Sequence, residues 1–533
     1  MIRGWPRKAA NGLHPSGKSG RLMLALQIAG SVLLLACIAL YLSIFRKALI
    51  DDAFITFQYA RNLTERGEWA FLPGQKSNTA TSALNVLLTA LVFRVCGAAP
   101  ESALALATAE YAFLLAALVA LSTKLFSNCG FAVLAFAAFL FNPLLVSTLG
   151  LESLLFTVLF IAALWAQAAK RWAWLGATLG FLTLTRPDGA LLFLLCLAMA
   201  PGWRPKAEVV GAYALIMTPW LVFSWMSFGT PVPDTLFIKR MESSWAQWSF
   251  WNGLKMYALV YPAPVLTSFA FVAASIFLLG RHRPRLGGAG ATCALFLPLY
   301  YIAYASLKAP PYHWYYVPLL DAGTVLGAMG GARAWGRLKE AMRAVRGARG
   351  TQATAPGRAR WALAGCAAQA GLAAALALTP AVGLGWTALR DGALPIREMP
   401  IHTNWASTQA YEELAEWLLQ RTSEESRILT HVEIGALAFY SQRRLINEFS
   451  DRGRLMSLLD RSTARGSWKW RLQRWQFRRV EVPRQPIVFT HYLTVMSDPP
   501  AGSVLVGRRR IASKWPPVER TVELWAPASS AAQ

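Results

Sequence analysis

Long apolar runs separated by short charged stretches dominate the first 387 residues of the chain. The first run, from about Leu22 to Phe45, follows a basic stretch and is too long for the core of a signal peptide. We predict that it is an uncleaved transmembrane helix with its N-terminus in the cytoplasm. Further apolar segments lie near residues 82–98, 102–123, 130–148, 153–169, 172–185, 188–201, 208–228, 256–280, 290–308, 314–332 and 361–387. This succession predicts a mostly α polytopic bundle of about 11 to 12 transmembrane helices, residues 1–387.

The pattern changes after residue 387, where apolar runs shorten and charges mix with them. The stretch from Ser407 to Arg421 has a helical period, whereas Arg427 to Val432 and Arg444 to Phe449 are typical of strands. We predict that residues 388–533 form a small exported α/β domain.

Basic clusters indicate which turns face the cytoplasm. They lie at Lys170–Arg171, Arg204–Lys206, Arg281–Arg285 and Arg333–Arg360. Counting back from the last cluster places the polar turns near Gly150, Arg186, Gly229–Lys255 and Pro310 outside, while counting forward from the N-terminus places residues 51 and 52 outside. The two counts disagree by one crossing, because three segments between residues 82 and 148 cannot join two outer positions. Either one segment there is re-entrant or interfacial, or two of them are one helix.

Composition supports a membrane protein and, together with the placement of the charges, argues against a nucleic-acid-binding protein. Of the 533 residues, 55% are hydrophobic and 22 are tryptophan, which is too apolar for a soluble protein. The net charge of +25 is high enough to suggest nucleic acid as a partner. Much of the basic excess, however, lies between apolar segments, as it does in cytoplasmic membrane loops. We therefore expect a lipid bilayer and no nucleic acid as partner.

The pair Asp51 and Asp52 opens the run DDAFITFQYARNL just after the first apolar segment. A carboxylate beside a bilayer is costly unless it faces water or takes part in chemistry, and two adjacent ones repel each other. We interpret the pair as catalytic. Asp is also a favoured N-cap, so capping of a helix from Ala53 to Leu63 is the alternative, and both roles are compatible.

Four other polar groups interrupt the apolar pattern at the same predicted face. Each has a structural alternative: dipole compensation at Glu152, a simple turn at Arg186 and Asp188, a solvated loop at Asp234 and Lys239, and interfacial aromatic residues around His313. The groups are Gly150–Glu152, Thr185–Gly189, Gly229–Arg240 and Pro310–Tyr316.

Together these groups describe a site for an anionic amphiphile. One Asp would deprotonate an acceptor hydroxyl while Arg and Lys stabilise a departing phosphate. The chain has no P-loop, Rossmann glycine pattern, nucleophile elbow or HExxH zinc signature, which disfavours ATP hydrolysis and zinc proteolysis. A role for a divalent cation between the carboxylates and the phosphate stays open, because no ligand spacing demands one.

These residues resemble the GT-C glycosyltransferases, and among them the polyprenyl-phosphoryl-arabinose-dependent arabinofuranosyltransferases. The matching strings are D-D-A-F-I-T-F-Q-Y-A-R-N-L at Asp51–Leu63, L-P-G-Q at Leu72–Gln75, T-S-A-L at Thr81–Leu84, G-L-E at Gly150–Glu152, L-T-R-P-D-G at Leu184–Gly189 and G-T-P-V-P-D-T at Gly229–Thr235. The resemblance implies a membrane bundle that the donor lipid enters sideways, a catalytic Asp in the first outer loop and inversion at the anomeric carbon.

By this resemblance either Asp51 or Asp52 is the base. The residues expected near the donor phosphate are Arg186, Lys239, Arg61 and His313, and the supporting acids are Glu152, Asp188 and Asp234. The chain departs from the family pattern at Asn78–Asn85, where relatives often have G-Y-T-S-P-[LF]-W. This departure leaves the sugar and the acceptor open.

The leading hypothesis is an inverting glycosyltransferase of the bacterial plasma membrane that acts in cell-envelope polysaccharide synthesis. It would transfer a sugar, as arabinofuranose or another pentofuranose, from a polyprenyl phosphate to an exported glycan or glycoprotein. A transporter or flippase of a lipid-linked sugar is the second hypothesis, since broken helices and charges near the membrane suit it as well. A non-catalytic scaffold for envelope assembly is the third.

Overall fold

The structure is a computed structural model that describes residues 17–126, 129–242, 245–280, 287–348, 356–462, 466–476, 487–495, 497–514 and 517–528. Its helices are α1 Gly17–Ser43, α2 Asp51–Arg66, α3 Ala83–Cys96, α4 Pro100–Phe126, α5 Gly130–Leu140, α6 Pro143–Val146, α7 Ser153–Ala168, α8 Trp172–Thr185, α9 Gly189–Met199, α10 Trp203–Phe228, α11 Thr235–Glu242, α12 Phe250–Val260, α13 Pro262–Gly280, α14 Gly287–Ser306, α15 Val317–Ala348, α16 Pro356–Asp391, α17 Thr408–Leu419, α18 Gly435–Ser441, α19 Arg452–Ser462 and α20 Trp468–Gln476. A short 3-10 turn, His313–Tyr316, precedes α15.

The apolar helices pack into one bundle, which confirms the predicted fold class. Within the described residues, five helices are long and apolar enough to cross a membrane: α1, α4, α10, α14 and α16. Shorter apolar helices, including α5, α7, α8 and α9, lie among them. Short helices reach across a bilayer only with the support of packed neighbours. The chain is therefore a multi-pass membrane protein.

Helix α3 explains the disagreement in the count of crossings. It packs along α2, with Phe57 and Phe93 ring centroids 5.9 Å apart. At its start, the Asn85 side chain donates to the carbonyl of Gly150 at 3.4 Å. Just beyond its end, Glu101 lies close enough to Glu412 of the C-terminal region to raise the pKa of that carboxyl, although burial contributes more. Both ends of α3 thus lie at one end of the bundle, and α3 is interfacial.

With α3 set aside, α4 leads away from this end and α5 returns to it, where Tyr41 of α1 donates to the Leu140 carbonyl at 3.0 Å. The helices that then cross the bundle are α1, α4, α5, α7 to α10 and α13 to α16. Within the described part of the chain, five of these helices are long and apolar enough to cross a membrane by themselves, and the total of about 11 to 12 transmembrane helices stays a prediction.

The C-terminal region contains a five-stranded sheet with the order β2-β1-β3-β5-β4. The strands are β1 Arg427–Thr430, β2 Arg444–Ile446, β3 His491–Thr494, β4 Ser503–Lys514 and β5 Pro517–Pro527. Strand β1 pairs in parallel with β2 and β3, whereas β5 is antiparallel to β3 and β4. Helix α17 and strands β1 and β2 confirm the predicted helical and strand patterns. Helix α16 runs on to Asp391, and the domain boundary at residue 387 stays a prediction.

This region covers the end of the bundle that carries α2. Helix α18 packs directly on α2, and Arg61 of α2 donates to the Phe439 carbonyl at 2.7 Å. The backbone N–H of Ile401 donates to the Ser147 side chain at 2.9 Å. Because these contacts join residues several hundred positions apart, the covered end is built jointly by both parts of the chain.

Candidate active site

Two adjoining cavities lie at the covered end of the bundle. The smaller, of about 50 Å³, is lined by Asp52, Ile55, Thr56, Thr79, Ala80, Thr81, Ser82, Leu151, Glu152, Thr235, Lys239, Trp314 and Phe449. The larger, of about 300 Å³, is lined by Thr81, Glu152, Arg186, Pro187, Asp188, Leu191, Thr235, Leu236, Lys239, Ala303, Tyr304, Leu307, Trp314 and Tyr315. Five residues line both cavities, so the two spaces share a wall. The segment Asn78–Asn85, where the chain departs from the family pattern, supplies one side of the smaller cavity.

Asp52 is the carboxylate of the first motif that faces a cavity. It lies in the first turn of α2 and is half-buried in the wall of the smaller cavity. Burial raises the pKa of Asp52, the positive charge of Lys239 partly opposes this rise, and the negative charge of Glu152 adds to it. A carboxylate with a raised pKa is a stronger proton acceptor near neutral pH. Asp52 therefore has the position and the basicity of a general base.

Asp51 is turned away from this cavity towards the C-terminal region. Its Oδ1 accepts a hydrogen bond from the backbone N–H of Ala436 at 2.7 Å, and its Oδ2 accepts one from Gly435 at 3.0 Å. These are the first residues of α18, so Asp51 caps a helix 384 positions away in sequence. A Cβ on Gly435 would lie 2.1 Å from the Asp51 carbonyl oxygen, so only glycine permits this close packing. The two adjacent aspartates thus occupy different environments.

A buried polar network that the sequence did not reveal supports Asp51. Asn404 accepts from the Asp51 backbone N–H at 3.3 Å and donates to Glu433 at 3.0 Å. The Tyr411 hydroxyl donates to the other oxygen of Glu433 at 2.8 Å. Burial, with the nearby Asp51 charge, raises the pKa of Glu433, and burial and Asp52 raise that of Asp51. No local motif indicates this network, because its members come together only through the tertiary fold.

The turn between α8 and α9 brings together three of the predicted residues. Arg186 is buried and forms ion pairs with Asp188 at 2.8 Å and with Glu152 at 3.3 Å. The hydroxyls of Tyr304 and Tyr300 donate to the same oxygen of Asp188, at 2.6 Å and 2.9 Å. Two carboxylates therefore balance the single guanidinium, which is held rigidly in the wall of the larger cavity.

Lys239, on the short helix α11, lies where the two cavities meet. Its ammonium is 4.8 Å from the ring centroid of Tyr312 and 5.4 Å from those of Trp314 and Tyr315. Burial alone would lower the pKa of Lys239, but Tyr315 and the charges of Asp52 and Glu152 raise it above its ordinary value. Lys239 is thus held as a cation in an aromatic cage. The segment Pro310–Tyr316, which was a weak signal in the sequence, supplies this cage.

Three predicted residues lie outside both cavities. Arg61 lies on another face of α2, with its guanidinium 3.5 Å from the Phe439 ring centroid. His313 is buried behind the cavity wall, where burial lowers its pKa to about 3, and its Nε2 lies 3.4 Å from the Ser147 carbonyl. Asp234 forms a buried ion pair with Arg452 of the C-terminal region at 3.2 Å. The structure does not bring these three side chains to the site of Asp52 and Lys239.

The donor set at this site does not fit a divalent cation. Asp51 and Asp52 diverge, and Asp52 faces an ammonium that already supplies positive charge. Over the described ranges of the chain, no group of three or more His, Cys, Asp or Glu residues is arranged to hold a metal ion. We therefore derive no step of the chemistry through a metal.

Comparison with known proteins places the fold. No family model matches the chain, and no curated protein matches it. Among solved structures, ArnT from Cupriavidus metallidurans bound to undecaprenyl phosphate is similar at 14% identity with a TM-score of 0.57, over 93% of this chain and 98% of ArnT. The same protein in the apo state gives 15% identity and a TM-score of 0.56, over 94% and 99%. Over nearly its whole length, this chain therefore shares the fold of ArnT.

Proposed function

We propose that this protein is an inverting glycosyltransferase that transfers a sugar from a polyprenyl phosphate to a hydroxyl of an exported acceptor. One observation carries the proposal: Asp52, a carboxylate of raised pKa, and Lys239, a caged cation, line the same small cavity, and Lys239 also lines the larger apolar one. The shared fold with ArnT, which has been crystallised with undecaprenyl phosphate, supports a lipid-linked donor.

The larger cavity suits the phosphate end of a lipid donor. Leu191, Leu236 and Leu307 contribute apolar wall, and Leu307 is 74% exposed at the bundle surface. Lys239 and Arg186 place positive charge at the inner wall. An apolar chain with an anionic head therefore has its complement there, with the head beside Lys239. Lys239 is the better phosphate ligand of the two, since Arg186 is already balanced by two carboxylates.

The chemistry is a single displacement. Asp52 accepts the proton of the acceptor hydroxyl, and the hydroxyl oxygen forms a bond to the anomeric carbon of the donor sugar. The bond between that carbon and the phosphate oxygen breaks, and its electron pair leaves with the polyprenyl phosphate. Lys239 stabilises the charge that develops on the leaving phosphate. Attack opposite to the leaving group inverts the anomeric configuration.

The neighbouring carboxylates have supporting roles in this proposal. Glu152 and Asp188 hold Arg186 in place. Asp51 fixes the start of α2 against α18 and thereby sets the position of Asp52. Among the two aspartates that the sequence left as alternatives, we assign the base to Asp52.

The sugar, the acceptor and the membrane location are inferred from the sequence. The resemblance of the motifs to arabinofuranosyltransferases favours arabinofuranose or another pentofuranose, and a glycan or glycoprotein of the cell envelope as acceptor. The basic clusters favour a bacterial plasma membrane location with the site on the outer face.

The experiment uses the purified full-length protein in detergent with synthetic polyprenyl-phosphoryl arabinofuranose, and with a hexose donor for comparison. We expect release of polyprenyl phosphate by the wild type and by Asp51→Asn at reduced rate, and its loss in Asp52→Asn. The product should have the anomeric configuration opposite to that of the donor. Unchanged turnover in Asp52→Asn would refute the assignment of the base, and donor binding without turnover of any sugar would refute transferase activity.

A further inference from the structure

A third cavity, larger than the two described above, lies on another face of α2, at the junction with the C-terminal region. We call it the arginine groove. It has a volume of about 670 Å³, and its walls carry five arginines, Arg61, Arg66, Arg427, Arg443 and Arg444. Three glutamates, Glu65, Glu424 and Glu425, complete its charged residues. The net positive charge of these walls favours an anionic ligand.

The arginines and glutamates of this groove do not form ion pairs with one another. Among the ion pairs in the described part of the chain, none involves a groove arginine. Arg61 and Arg443 are oriented by hydrogen bonds to protein oxygens, the former to Phe439 and the latter to Thr422. Arg66 and Arg444 are exposed. The groove therefore combines two fixed guanidinium groups with two that are accessible to a ligand.

A buried acceptor in the groove wall indicates a ligand that also donates hydrogen bonds. The Nε2 of Gln58 donates to the Phe71 carbonyl at 3.4 Å, whereas its Oε1 is buried without a hydrogen-bond partner. Gln58 is 7% exposed, and a buried acceptor without a partner is costly. Hydroxyl groups of a saccharide would donate to the groove glutamates, and to this oxygen once the Gln58 side chain turns towards the groove, while carboxylate or phosphate groups would pair with the arginines.

The groove is near the proposed catalytic centre without sharing its residues. Gln58 and Asp52 lie on the same helix, six positions apart, which corresponds to about 9 Å along its axis. A short oligosaccharide spans such a distance. Six positions also turn the helix by about 240°, so a bound chain would have to pass around α2 for one end to reach the smaller cavity while the remainder lies in the groove.

We propose that the arginine groove binds an anionic saccharide segment of the acceptor, remote from the hydroxyl that receives the sugar. This proposal rests on the transferase function proposed above and names the class of its acceptor. Arg61, which sequence resemblance assigned to the donor phosphate, serves the acceptor here.

Binding to purified full-length protein in detergent tests the proposal. The probes are an oligogalacturonate hexasaccharide, a phosphorylated maltohexaose, neutral maltohexaose and a hexaglutamate peptide, measured by isothermal titration calorimetry at two salt concentrations. We expect one or both acidic saccharides to bind, with affinity that falls as salt rises. In the Arg66→Gln/Arg444→Gln variant, their affinity should fall about tenfold, since two accessible charge-assisted contacts are lost.

Arg510→Gln is the matched control, because the Arg510 side chain is 76% exposed on β4, outside the groove. It should bind like the wild type, and thermal melting should show that all variants are folded. Which acidic saccharide binds distinguishes carboxylated from phosphorylated acceptors. Equal binding of maltohexaose or of hexaglutamate, no binding of either acidic saccharide, or unchanged affinity in the double variant would overturn the proposal. The assay contains no lipid-linked donor, so its failure and a failure of transfer are observed separately.

Discussion

Mutations of the two adjacent aspartates should lower turnover for different reasons. In the structure, Asp51 stabilises the contact between α2 and α18, whereas Asp52 faces the smaller cavity. We expect Asp51→Ala to loosen that contact and lower turnover indirectly. Asp52→Asn should abolish turnover while leaving the contact intact.

The size of the first effect follows from the bonds that are lost. Asp51→Ala leaves the backbone N–H groups of Gly435 and Ala436 without their carboxylate acceptor in a buried interface. A hydrogen bond to a charged group contributes about 1.5 to 3 kcal/mol. Removing the Asp51 carboxyl also removes its electrostatic repulsion with Glu433 and Asp52, which offsets part of this loss. We therefore expect a net cost of about 2 to 3 kcal/mol, which corresponds to a roughly 30- to 150-fold shift towards the separated state.

Hydrogen exchange measured by mass spectrometry reads this shift directly. Peptides that contain Gly435 and Ala436 should exchange faster in Asp51→Ala by roughly the factor above, and at the wild-type rate in Asp52→Asn. Loss of a general base should lower turnover by at least about a hundredfold in Asp52→Asn. The reverse pattern would refute this division of roles. In that pattern, Asp52→Asn would speed hydrogen exchange in α18, whereas Asp51→Ala would lose turnover while α18 exchanges at the wild-type rate.

Variants at three further residues, Lys239, Arg452 and Glu433, test other parts of the molecule. Lys239→Gln should weaken polyprenyl phosphate binding about tenfold or more, and Lys239→Arg should restore part of it; equal affinity of wild type and Lys239→Gln in a lipid-binding titration would contradict the assignment of the phosphate ligand. Arg452→Met leaves the buried carboxylate of Asp234 unpaired, so thermal melting should show a loss of about 3 to 5 kcal/mol, whereas an unaltered melting temperature would show that the pair is dispensable. Because the pKa of Asp51 is raised to about 7 and that of Glu433 to about 8, the native state holds protons that the unfolded chain releases, so stability should fall as pH rises through these values. Glu433→Gln should flatten this slope in melting curves recorded from pH 6 to 9, and a slope equal to that of the wild type would exclude the pair as its origin.

The sequence by itself determined the class of the molecule and where its polar groups interrupt the bundle. Apolar length fixes which segments enter a bilayer, because unpaired backbone groups are too costly there and each segment must become a helix. Polar motifs in such a background stand out for the same reason. Asp52, Glu152, Arg186, Asp188 and Lys239 were therefore visible in the sequence before the structure brought them together.

The tertiary structure alone decided which of these residues act together. An apolar run such as residues 82–98 reads the same whether it crosses the bundle or lies along α2, because hydropathy carries no direction. Adjacent aspartates look equivalent in sequence, yet they point to different partners once α2 packs between the cavity and α18. The partners of Asp51, namely Glu433, Asn404 and Gly435, lie more than 350 positions away. Such long-range contacts depend on how whole elements pack, and no local pattern of residues encodes them.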